Sequence, residues 1–168
     1  MLIFSLLFIS QGAHAATWSS SASACVPSDG SVGKYDFEDA TLKFSANSTG
    51  EILVRCHITN PFDDTDSAPI WNTLTVGYQD PDAHEQAYQV EAKLIRVNKG
   101  TGVVSVITPR FDSNASTAPN TVSPVSGFVK FTHNYNFTTY AYYITLDLHR
   151  SDSLKNPAVW FVKLSVTD

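Results

Sequence analysis

The chain has 168 residues, enough for one domain with a real core and too few for two comfortable ones. Charged residues make up only 16%, against about 25% in typical domains, and Ser, Thr and Asn fill the polar positions instead. A formal net charge of -5 and the lack of any Lys/Arg cluster leave nothing to attract a phosphate backbone, so no nucleic-acid partner is expected.

The chain opens MLIFSLLFISQGAHAATWSS. Leu2 to Ile9 form a short apolar run, and Ala13-His14-Ala15 is a small-x-small cleavage site. Residues 1–15 therefore read as a secretory signal peptide, although no Lys or Arg precedes the apolar run. The run is too short to span a bilayer. The mature chain, from Ala16, is expected to be exported to the periplasm or the exterior, with no transmembrane anchor. The Ser-rich TWSSSASA that follows reads as a flexible start, 16–36, anchored by Cys25. The two cysteines, Cys25 and Cys56, form an even count in an exported chain and are expected to form a disulfide.

From Phe37 onward period-two alternation dominates, and the β domain is expected over 37–168. A first strand is expected at Ala40–Ser45. In GEILVRCHIT, Ile52, Val54, Cys56 and Ile58 share one face, while Glu51, Arg55 and His57 share the other. Leu74, Val76 and Tyr78 alternate with Thr73, Thr75 and Gln79. Tyr88, Val90, Ala92 and Leu94 alternate with Gln89, Glu91 and Lys93. NKGTG has the chemistry of a hairpin turn and leads into Val103–Ile107. Further strands are expected at Gly127–Thr132, Thr139–Arg150 and Ala158–Val166, the last with Trp160, Val162, Leu164 and Val166 facing inward. No window carries a capped helical stripe. The expected fold is all-β: an antiparallel two-sheet β-sandwich of about eight strands, with a jelly roll among its open topologies.

The segments CHITNP, YQDPDA, KLIRVNKGTG, TTYAYYITLDLHRS and NPAVWFVKLS resemble those of small exported bacterial proteins of uncharacterised function. The resemblance runs from about Cys25 to Val166. It implies export and a compact β-rich domain, and it carries no activity, cofactor or site.

Three groups of residues bear on chemistry. On the strand through TYAYYITLDLHR, Tyr140, Tyr142, Ile144, Leu146 and Leu148 face the core. Tyr143, Thr145, Asp147 and His149 face out. Asp147 and His149 lie roughly 6.5–7 Å apart on one side, suited to a metal ion or a carboxylate–imidazole hydrogen bond. A metal there needs a third ligand, with His133 or His57 as candidates. The acidic loops carrying Asp63, Asp64 and Asp66, and Asp80 and Asp82, read first as solvated turns, with a calcium site as the alternative because they concentrate oxygen ligands of the kind calcium takes. No other cofactor is expected. Trp71 and Tyr143 are the rings expected to face outward and to stack on a sugar. No Gly-x-Ser-x-Gly motif is present to support a serine hydrolase.

Three functions stay open on this reading. The leading one is an exported non-catalytic binding or structural module with a carbohydrate or protein ligand. The others are a metal-dependent enzyme using Asp147 and His149, and a surface component assembled through exposed strand edges.

Overall fold

A computed structural model describes residues 16–62, 68–83, 85–115 and 125–167. The strands in chain order are β1 (Trp18–Ser21), β2 (Val26–Pro27), β3 (Tyr35–Glu38), β4 (Thr41–Phe44), β5 (Gly50–Ile58) and β6 (Thr73–Gln79). They continue with β7 (Tyr88–Asn98), β8 (Val104–Val106), β9 (Phe111–Asp112), β10 (Val125–Lys130), β11 (Tyr140–Arg150) and β12 (Ala158–Ser165). The fold is all-β, in two antiparallel six-stranded sheets. The first sheet runs β10-β6-β12-β4-β3, with β1 beside β12; the second runs β2-β5-β11-β7-β8, with β9 beside β7. Each of the eight expected strands is present. The four extra ones, β1, β2, β3 and β9, have two to four residues each, too few for alternation to show.

The alternating pattern builds the core directly. Leu42, Phe44, Leu74, Val76, Val162 and Leu164 of the first sheet are buried, as are Ile52, Val54, Val90, Leu94, Ile144 and Leu146 of the second. Each such side chain contributes roughly 1.5–3 kcal/mol of burial free energy. Cys25 and Cys56 form the expected disulfide and tie the start of β2 to β5.

Two expectations are corrected. The segment 16–36 is not a loose leader to the domain. β1 pairs with β12 from Trp18↔Leu164 to Ser21↔Phe161, and Ala22 is buried in the core. The serines that suggest flexibility are outward or partly exposed positions of an ordered strand, Ser19 to Ser21, and of the 3-10 turn that follows it, Ser23. Trp160 does not point into the core. The β12–β6 register shifts between Val159 and Phe161, as a bulge does, so Val159 takes the inward position ahead of Val162 and Leu164.

Arg150, at the end of β11, points inward and is buried. Its guanidinium donates to the carbonyls of Ser45 (3.2 Å), Ser48 (3.1 Å) and Ser153 (2.9 Å). It therefore staples the β4–β5 turn to the β11–β12 connection. The proposed signal peptide (residues 1–15) and Asp63, Asp64 and Asp66 lie outside the described residues. No helix among the described residues is long and apolar enough to cross a membrane.

Candidate functional site: a polar groove on the outer face of the second sheet

β11 is the middle strand of the second sheet, between β5 and β7, so its outward side chains have neighbours on both sides. Register decides which. His149 lies opposite Glu51 and Gln89, Asp147 opposite Leu53 and Glu91, and Tyr143 opposite His57 and Ile95. β9 adds Asp112 beside Glu91. With strands about 4.8 Å apart, the four strands from Glu51 to Asp112 span roughly 14 Å.

These side chains line a groove of about 620 Å³. Glu51, Gln89, Glu91, Asp112, Asp147 and His149 form its walls and floor, with Arg110 and the 113–115 turn beside them. A recess of about 280 Å³ extends it toward Ile95 and Val106 and shares Glu91 and Asp147.

Most of the charges in the groove hold one another. Arg110 forks across two acids, with Nη1 on Glu91 Oε1 (2.6 Å) and Nη2 on Asp112 Oδ2 (3.1 Å). Lys93 Nζ sits 3.5 Å from the other Glu91 oxygen. The Gln89 amide donates to Asp112 Oδ1 (2.9 Å), and the His149 ring meets the Ser151 hydroxyl at 3.1 Å. Glu51 and Asp147 join no ion pair among the described residues, and of the two only Asp147 has a buried oxygen, Oδ1, without a hydrogen-bond partner. Burial, and then the charges of Glu51 and Glu91, raise the Asp147 pKa above the ordinary carboxylate value, with Lys93 and His149 opposing.

The expected outer-face pair is thus real as a neighbour relation. Asp147 and His149 line the same groove. A third metal ligand is not supplied: among the described residues no three His, Cys, Asp or Glu are grouped to hold a metal ion. His57 lies opposite Tyr143, four residues or roughly 13 Å along the strand from Asp147. His133 is engaged elsewhere, with its ring on the Tyr142 hydroxyl at 3.2 Å.

Tyr143 does face outward and is partly exposed, its ring 6.5 Å from that of His57. Trp71 does not face outward. It is buried to 1% exposure, edge-on to Tyr135 (5.1 Å between centroids), and its indole N–H donates to the Ala16 carbonyl. The chain entering β6 folds Trp71 over the end of the sandwich, where a ring cluster from residues 131–142 receives it. Asp80 is fully buried and Asp82 half-buried, so neither belongs to a solvated turn.

The groove also includes residues that strand parity alone does not collect. Arg110 and Asp112 arrive with β9, whose two residues give no periodic signal. Gln86 comes from the turn before β7. Glu51, Gln89 and Glu91 are outward by parity, and only the pairing order places them beside β11.

No family model matches the chain, and no curated protein matches it. Solved structures do. A xylan-binding module, CBM15, superposes with a TM-score of 0.50 at 9% identity over 91% of this chain and 97% of its own. A family two carbohydrate esterase from Cellvibrio japonicus gives 0.41 at 14% identity over 90% of this chain, which spans 33% of the esterase chain. The low-affinity xylan-binding module CBM86 from Roseburia intestinalis gives 0.43 at 12% identity, over 90% and 96% of the two chains. At these identities the likeness to CBM15 shows a shared fold.

Proposed function

We propose that the protein is an exported, non-catalytic carbohydrate-binding module whose ligand lies in the groove on the outer face of the second sheet. The observation that carries this reading is Asp147. It is a carboxylate on the groove floor with a buried, unpartnered oxygen, beside Glu91, Arg110, Asp112 and Gln89, which hold one another. A buried acceptor without a donor costs roughly 1–3 kcal/mol, and a ligand hydroxyl recovers it. Around Asp147 the groove presents carboxylates, amides and a guanidinium, groups that pair with the vicinal hydroxyls of a sugar. Tyr143 and His57 offer ring faces further along. The fold shared with the xylan-binding module supports the reading, as does the disulfide, a bond of oxidising compartments.

Affinity electrophoresis of the mature chain in gels containing soluble xylan or other plant and bacterial polysaccharides tests it. At least one polysaccharide is expected to retard the protein. Asp147→Asn should weaken that binding by about 10–100-fold, the worth of a hydrogen bond to a charged group. Retardation by none of the polysaccharides removes the carbohydrate reading. Wild-type affinity in Asp147→Asn removes the groove as its site.

A further inference from the structure

At one end of the groove, the turn between β6 and β7 carries two carboxylates that the proposed sugar site does not use. Asp80 is 0% exposed. Its Oδ2 accepts from the Ser113 hydroxyl, whose oxygen in turn accepts from the Val90 amide (2.9 Å). Asp82 Oδ2 accepts from the Tyr88 amide (2.9 Å). The Oδ1 atoms of both are buried and have no hydrogen-bond partner. Neither carboxylate is in an ion pair among the described residues, and the nearby Lys155 ammonium is turned to the Pro81 carbonyl (3.0 Å).

A fully buried carboxylate beside a half-buried one, each with a buried unpartnered oxygen, does not keep both charges without compensation. The compensating species is either a proton shared between them or a cation. The donors in place are all oxygens: two carboxylates and the Ser113 hydroxyl. Zinc and copper favour nitrogen and sulfur donors, whereas calcium takes oxygens, fills its remaining positions with carbonyls and water, and tolerates irregular loops.

We propose that Asp80 and Asp82 form a calcium site that braces one end of the groove. The ion would take the two orphan Oδ1 atoms as ligands. The bracing follows from the bonds already made. Through Ser113, Asp80 holds the turn whose Asn114 and Ala115 line the groove; through the Tyr88 amide, Asp82 holds the start of β7 between Gln86 and Gln89. The effect on sugar binding rests on the function proposed above, whereas the metal site does not.

The test uses the chelator-treated mature chain and calcium chloride alone, by calorimetric titration and thermal melting. Binding is expected in or below the ~0.1–1 mM range of extracellular calcium modules. Saturating calcium should raise the melting temperature by about 5 °C or more. Asp80→Asn keeps the side-chain shape and removes a buried charge, so it should fold and lose both responses, as should Asp82→Asn. Should either variant fail to fold, calcium-dependent amide exchange of the wild type locates the ion. New protection in 80–90 and 112–115 supports the site, and protection only elsewhere overturns it. No heat and no shift up to about 10 mM calcium also overturns the proposal, leaving a proton-bridged pair. Full calcium affinity in both Asn variants does the same. Calcium binding without binding to any polysaccharide would uphold the site and remove only the carbohydrate reading.

Discussion

At the scale of single residues, the two informative side chains are carboxylates kept from water. Burial, and then Asp82 beside it, push the Asp80 pKa from 3.8 to about 7. The Ser113 hydroxyl opposes this, and Lys155 stays on the Pro81 carbonyl. A raised native pKa means that the folded chain holds this proton more tightly than the unfolded one. The group's contribution is therefore fully present below the unfolded value of 3.8 and is lost as pH rises through about 7. Asp147 is shifted in the same direction, so the wild-type profile contains both groups. Their difference is separable. In chelator, the stability gap between Asp80→Asn and wild type should move in the variant's favour as pH rises across that window, as read by denaturant midpoints at constant salt. Parallel profiles would mean that Asp80 does not carry a raised pKa. Calcium should reverse the wild-type trend, because the ion replaces the proton at high pH.

At the scale of strands, packing depends on places where side chains are missing or buried against expectation. Gly77 in β6 lies beneath the Trp160 and Phe161 rings, and a Cβ there would come within 2.3 Å of Phe161 and 2.5 Å of Trp160. Gly77→Ala should therefore cost about 1–3 kcal/mol, measured by denaturant unfolding. Pairing it with Phe161→Ala should return part of the loss if the clash is the cause. Arg150→Ala should cost about 2–4 kcal/mol, because it removes the charged donor shared by the part-buried carbonyls of Ser45, Ser48 and Ser153, of which Ser45 keeps the Ser48 amide. The long strands behind these contacts were legible in the sequence, down to the split of Tyr142 inward and Tyr143 outward, because seven to eleven alternating residues outweigh local noise. The bulge at Trp160 was not legible, since a one-residue slip leaves composition unchanged while reversing a side chain's face. Trp71 was misread for another reason: what buries it is Tyr135, 64 positions away in the chain, and no local pattern announces that contact.

At the scale of the molecule, the sandwich separates the candidate binding face from the bond that stabilises the fold. Cys56 faces the core at 1% exposure, while its β5 neighbours Arg55 and His57 face outward with the groove sheet. The disulfide thus anchors the two-residue edge strand β2 from beneath the sheet that carries the candidate site. It closes a sequence separation of 31 residues. In the chain-entropy account such a closure stabilises the native state by about 3–4 kcal/mol, mainly by restricting the unfolded chain. That mechanism changes the population of folded molecules and leaves the shape of the groove alone. A Cys25→Ser/Cys56→Ser double variant should accordingly lose about 3–4 kcal/mol in chemical denaturation. Below its unfolding transition, it should bind calcium and polysaccharide within about twofold of the oxidised protein, a difference under ~0.5 kcal/mol. A tenfold loss of affinity in a variant that is still fully folded would mean that β2 and β5 shift together when the bridge is absent. The groove would then depend on the edge of the sheet and not only on the register of β5, β11 and β7.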